Sequence, residues 1–167
     1  KDSIMTLHLA QKKNAARAAA ALCAGAVLAL AAMGAQATVY NPPIHVAHGI
    51  EYMSGGIGAD EAELMRVVEP RWPAVFEFSV KDGKGAAFAA DVVLTVRDAQ
   101  GNAVLDQVHS AGPYLMARLD PGRYTVEAVL AGQKIQREIS IRGPGTSIKS
   151  VFEWPQGTDA PLARSSS

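Results

Sequence analysis

Residues 119–141, LDPGRYTVEAVLAGQKIQREISI, fit little other than a tight turn followed by two antiparallel strands. Asp120-Pro121-Gly122 sets proline where φ of about −65° is wanted and glycine where a positive φ is wanted. Tyr124, Val126, Ala128 and Leu130 then recur with a period of two, which places them on one face of a strand. After the Ala131-Gly132 turn, Ile135, Ile139 and Ile141 return on that face, and Arg137, which shares their parity, takes one end of the strand toward solvent.

The same period runs through the preceding segments. Ala74, Phe76, Phe78 and Val80 alternate with Val75, Glu77 and Ser79 before the turn KDGKG; Val92, Leu94 and Val96 alternate with Asp91, Val93, Thr95 and Arg97 before the turn DAQGN. AVLDQVH and PYLMARL are further candidates, and SIKSVFEW is the last, closed by Pro155. Short strands recurring about every ten residues, with turn residues between them, predict an all-β antiparallel sandwich spanning residues 72–154. Phe76, Phe78, Val92, Leu94, Val96, Leu119, Tyr124, Val126, Ile139 and Phe152 are its expected core.

Upstream, residues 1–37 read as a leader. Lys12, Lys13 and Arg17 precede the apolar run AAAALCAGAVLALAAMGAQA, which ends in Ala35-Gln36-Ala37, the pattern of a secretory signal peptide cut after Ala37. The expected location is therefore periplasmic or secreted, with no membrane span after cleavage. Cys23 goes with the leader, so the remaining chain has no disulfide and the core alone must hold it. Lys1, Lys12, Lys13, Arg17 and Asp2 leave with the leader too, which leaves 15 acidic and 12 basic side chains and a net charge near −3. Without a basic cluster, nucleic acid is not an expected partner.

Residues 38–71 read as an extended entrance holding Pro42-Pro43, a glycine-rich loop and one short N-terminal helix. Ala62, Leu64, Met65 and Val68 form the apolar stripe of that helix, and Pro70 ends it. The loop SGGIGAD invites comparison with nucleotide sites. A dinucleotide fingerprint, however, needs a third glycine where Glu61 stands, and a phosphate loop needs Gly-Lys-Ser/Thr. Asp60, Glu61 and Glu63 also place negative charge where a phosphate would bind. Asp60 as N-cap with Glu63 answering it in a capping box accounts for the pattern structurally. Residues 155–167 read as a disordered tail.

The segments DVVLTVRDAQGNAVLD and AGPYLMARLDPGRYTVEAVLAGQ resemble the carboxypeptidase regulatory-like domain. Leu119, Pro121, Gly122 and Tyr124 match its L-x-P-G-x-Y segment, and Asp98, Gly101 and Val104 match D-x-x-G-x-x-V. Residues 38–167 as a whole, GGIGADE and the closing FEW included, are similar to small exported proteobacterial proteins bearing that domain. The resemblance implies a seven-stranded transthyretin-like sandwich that serves as a scaffold or binding module and supplies no catalytic residues.

Site chemistry is sparse. His48-Gly49-Ile50-Glu51 matches the H-x-x-E zinc pair of the associated peptidases, and His45, His48, Glu51 and Asp60 offer ligand types, but nothing in a non-helical segment makes them converge. G-x-S-x-G is absent, no cysteine follows the leader, and Ser54 reads as a loop serine. Neither a catalytic centre nor a cofactor is expected. The expected function is a non-catalytic module binding a protein or cell-envelope ligand, with Gly55, Gly56, Gly58, Asp60 and Glu61 as its interaction loop. The alternative is a carbohydrate-binding module in which Trp72, Tyr114 and Trp154 stack on sugar rings.

Overall fold

The computed structural model describes residues 41–158, so the expected leader and cleavage site in residues 1–37 and the tail beyond Thr158 lie outside the described residues. Ten strands are present: β1 (Ile44–Ala47), β2 (Ile50–Gly55), β3 (Ala74–Asp82), β4 (Gly85–Phe88), β5 (Val93–Asp98), β6 (Ala103–His109), β7 (Tyr114–Ala117), β8 (Gly122–Leu130), β9 (Gln133–Ile141) and β10 (Ile148–Trp154). Helix α1 (Ala59–Val68) and a 3-10 turn (Glu69–Arg71) connect β2 to β3. A six-stranded sheet runs β1-β2-β7-β3-β10 with β4 also paired to β3, and a four-stranded sheet runs β6-β5-β8-β9.

The protein is thus mostly β, two sheets and one short helix. The hairpin read from LDPGRYTVEAVLAGQKIQREISI is β8–β9, paired from Gly122↔Ile141 to Leu130↔Gln133. All ten residues expected in the core are buried there, together with Leu105, Leu115 and Trp154 between the sheets. Side chains of alternating parity on β3, β7 and β10 meet those of β5 and β8 across this layer, as a two-sheet sandwich requires.

Three departures from the sequence reading have physical causes. First, the strands exceed the seven expected because the chain after the KDGKG turn pairs back on β3 as β4, and because the entrance segment is not merely extended but forms β1 and β2. Ala47-His48-Gly49-Ile50 is a two-residue hairpin loop with positive φ at both central residues, 50° at His48 and 81° at Gly49, the type I′ geometry that joins strands of native twist. Second, the pairing is not wholly antiparallel. From β9 the chain crosses to the other sheet through residues 142–147, so β10 arrives running parallel to β3, in register from Ile148↔Ala74 to Trp154↔Val80. Third, the start of the presumed tail is packed: Thr158 is buried and its hydroxyl donates to the Pro155 carbonyl at 2.8 Å.

The helix forms a third, partial layer. On β3 the odd-numbered Val75 is as buried as its even neighbours, because Met53, Ala62, Met65, Trp72, Tyr114 and Met116 build a second apolar cluster on the outer face of the larger sheet. Among the described residues the buried members of both clusters lie between Met53 and Trp154, with Ala47, Ile50 and Tyr52 packed against the larger one, so this core is built within residues 39–167.

Candidate functional site

At one rim of the sandwich, where β1 of the larger sheet comes close to β6 of the smaller, lies a cleft of about 500 Å³. Pro42 and Pro43 line it from just ahead of β1 and His45 from β1, Tyr52 and Ser54 from β2, Ile57 and Glu61 from the loop and helix, His109 from the end of β6 and Ala111 from the segment after it. The His45 and Tyr52 rings stack at 5.2 Å, as their cross-strand register dictates. Ile57 is 62% exposed at the lip. Two imidazoles, a phenol, a carboxylate and an apolar lip give the cleft hydrogen-bonding and packing capacity together.

Its floor is fixed by the glycine-rich loop. Glu61 Oε1 accepts the Gly56 N–H at 2.7 Å, while Ser54 Oγ donates to the Tyr114 carbonyl at 2.8 Å and accepts the Ala111 N–H at 2.9 Å. A Cβ at Gly56, whose φ is 100°, would strike the Tyr114 ring, and one at Gly112 would collide with the Gly55 backbone. Ser54 Oγ is committed to this brace through both of these hydrogen bonds.

Of the five residues expected to form an interaction loop, Gly55 and Gly56 are buried and Glu61 is half-buried in its bond to the loop; Gly58 and Asp60 are exposed. Asp60 is not the N-cap. Gly58 holds that position at φ 89° with no side-chain cap, Asp60 lies in the first turn, and Glu63 pairs with Arg66 at 2.8 Å instead of closing a capping box. The helix is fastened to its loop by Glu61, because only Glu61 points back along the chain toward Gly56.

The aromatic trio does not form a stacking platform. Trp72, Tyr114 and Trp154 are 3%, 2% and 1% exposed, so no ring face among them meets solvent. Trp154 fills the sandwich core and donates its indole N–H to the Gln133 carbonyl at 2.9 Å. Trp72 lies under α1 with the Arg118 guanidinium 4.6 Å from its centroid. Tyr114 has Phe88 at 5.8 Å and the Lys149 ammonium at 5.5 Å; burial, then the Glu77 carboxylate, raises its hydroxyl pKa. Buried amphipathic rings at strand ends account for all three.

The H-x-x-E string separates in space by function. His48 sits at the tip of the hairpin, whereas Glu51 is on β2 in an ion pair with Arg118 at 2.8 Å. Among the described residues no group of three or more His, Cys, Asp or Glu side chains is placed to hold a metal ion. Sequence reading missed His109 and Tyr52 as companions of His45. Tyr52 follows from the hairpin register once Ala47-His48-Gly49-Ile50 is recognised as a turn, but no spacing links β1 to β6.

A larger groove, about 660 Å³, runs over the outer face of the smaller sheet past Thr95, Arg97, Thr125, Glu127 and Glu138. It is a shallow polar sheet face without an exposed aromatic ring, so the smaller cleft, with its braced floor, is the better candidate.

No protein-family profile matches the chain, and no curated protein matches it. Among solved structures, the Bacillus anthracis TIE protein is similar at 18% identity and a TM-score of 0.38, over 49% of this chain and 17% of that one. Among the described residues no helix is long and apolar enough to cross a membrane.

Proposed function

We propose that this chain is an exported, non-catalytic binding module of the transthyretin-like, carboxypeptidase regulatory-like kind, engaging a protein or cell-envelope ligand at the rim cleft. The observation that carries the reading is the braced cleft itself: His45, Tyr52 and His109 converge beside the exposed Ile57 over a floor that Glu61 and Ser54 hold in place. A preformed surface of this kind spends little conformational entropy on binding. The leader-like residues 1–37 support export, and the L-x-P-G-x-Y segment supports the fold family. That segment has a clear structural use, since the Tyr124 hydroxyl donates to the Asp120 carbonyl at 2.9 Å and pins the turn before β8.

Immobilised residues 39–167 exposed to a cell-envelope extract should retain a partner that is lost from both Ile57→Asp and His109→Ala while their melting temperatures stay unchanged. Retention indifferent to both substitutions would move the binding surface elsewhere. Turnover of a peptide, ester or glycoside by the pure protein would overturn the non-catalytic reading.

A further inference from the structure

We infer that the free edge of β1 is a self-association surface on which a second copy of this chain adds its own β1, antiparallel, to make one continuous sheet across the pair. The edge adjoins the cleft, to which His45 contributes its side chain, but the inference concerns the backbone of β1 and goes beyond the binding role proposed above.

The argument starts from which backbone groups are free. β1 is the terminal strand of the six-stranded sheet and pairs only with β2 among the described residues. The type I′ turn at His48-Gly49 makes Ala47 and Ile50 a hydrogen-bonded pair, and ladder alternation makes His45 and Tyr52 the next one. Ile44 and Val46 therefore turn their N–H and C=O groups away from β2. An independent observation agrees: Glu51, opposite Val46, has its carbonyl committed to the Arg118 N–H at 2.9 Å on the β7 side.

The side chains of the same two residues are uncovered. Ile44 is 54% and Val46 68% exposed, the latter the most exposed large apolar side chain in the described chain. By register with Met53 they lie on the sheet face that α1 covers further in. Other edge strands are guarded by charge: Asp106 on β6, Arg137 and Glu138 on β9, Lys149 and Glu153 on β10. On β4 the one large apolar side chain, Phe88, already leans on Tyr114. β1, IHVA, carries no acidic residue, lysine, arginine or proline.

These features favour a second copy as the occupant. With two β1 strands set antiparallel about His45, Ile44 of each copy opposes Val46 of the other. Both pairs are hydrogen-bonded, and both put β-branched side chains together on one face. Pro43 has the parity of His45 and Ala47, so its missing N–H faces β2 and costs the new ladder nothing; Pro42 ends that ladder. No carboxylate, lysine or arginine of either strand is brought opposite another. The strand is its own complement, and a two-fold axis closes the assembly at two copies.

Sedimentation equilibrium on residues 39–167 should show a concentration-dependent dimer. Val46→Lys, at an exposed position, should raise its dissociation constant by about tenfold or more, whereas Val67→Lys on the exposed face of α1 should leave it unchanged. His45→Cys tests the register: in a pair without hydrogen bonds the two α-carbons lie about 4.5 Å apart, within disulfide range, and residues 39–167 hold no other cysteine. Mild oxidation should cross-link His45→Cys in preference to Ala47→Cys. A monomer at every concentration, or a dimer indifferent to Val46→Lys, would overturn the proposal. So would a monomer that takes up an added extended peptide at β1, which would make the edge a docking strand for another chain.

Discussion

Glu61 reaches back five residues to hold Gly56, its Oε1 2.7 Å from the backbone nitrogen, and this one bond joins the first turn of α1 to the floor of the rim cleft. Helix N-termini are ordinarily closed by a residue just ahead of the helix. Here Gly58 has that place without a side chain, so the brace comes from inside the helix and ties down the loop rather than the helix end.

Glu61→Ala should accordingly loosen the loop. A hydrogen bond to a carboxylate is worth about 1.5–3 kcal/mol when shielded, and half-burial reduces the expected loss to about 1–2 kcal/mol by urea unfolding. Glu61→Gln keeps an acceptor oxygen and should lose less than half of that. Equal losses in the two variants would mean that the carboxylate acts through charge and not through Gly56. Amide exchange at Gly56 should accelerate in the alanine variant only.

Tyr124 pins the turn LDPGRY through its hydroxyl, 2.9 Å from the Asp120 carbonyl. Tyr124→Phe keeps the buried ring and deletes the bond, so unfolding free energy should fall by about 0.5–1.5 kcal/mol with the fold intact. A neutral substitution would show that Pro121 and Gly122 fix the turn unaided.

The sandwich was legible because alternation and turn chemistry agree over residues 72–141. Phe76, Leu94 and Val126 each sit where a period of two places them, and all three are fully buried. What escaped was long-range pairing. Nothing in SIKSVFEW states that its partner is β3 or that the two run parallel, since both follow from the crossover after Ile141. The hairpin at His48-Gly49 was hidden because the turn seats a histidine, not an asparagine or aspartate, at positive φ. The cleft was illegible for the same reason: His45 and His109 line one cleft only because two edge strands from different sheets come close at one rim.

Trp154 shows how an aromatic residue at a strand end can suggest a binding platform while serving as core. It is 1% exposed, lies 6.4 Å from both Phe78 and Phe152 by ring centroids, and donates its N–H to Gln133. Trp154→Ala should cost about 3–5 kcal/mol. Any loss of ligand binding in that variant should track the fraction unfolded; binding lost at unchanged stability would restore the aromatic-platform reading.

Asp98 organises the turn that opens toward β6. One carboxylate oxygen accepts the Gln100 and Asn102 N–H groups at 2.9 and 2.8 Å, and the other accepts the Asn102 side-chain amide at 3.0 Å. The Asn102 side chain foremost lowers its pKa below the ordinary 3.8; desolvation opposes it, and the backbone donors of Asn102, Gln100 and Gly101 add to the lowering. A depressed folded value means stability that is present above the unfolded pKa and lost as pH falls through the folded one. In Asp98→Asn the acid limb of melting temperature against pH should be shallower than in the parent, and coincident limbs would show that the turn does not depend on the charge.

Lys149 governs the opposite limb. Its ammonium lies 2.7 Å from Glu77 and 3.1 Å from Glu69, joining β10, β3 and the 3-10 turn on the outer face of the larger sheet. Burial disfavours the charged amine, but hydrogen bonds to Glu77 and then Glu69 outweigh that effect and raise the pKa above the ordinary 10.5. A raised folded value means that the contribution is complete below the unfolded pKa and disappears as pH climbs through the folded one. The side chain is 36% exposed, so solvent screening limits its value, and Lys149→Met should lose about 0.5–1 kcal/mol near neutral pH, where the two carboxylates are left facing each other. Above the folded pKa the parent has already given up the same interaction. The gap between the two proteins should therefore narrow toward alkaline pH, and a gap that stays constant would show that the loss does not come from the ion pairs.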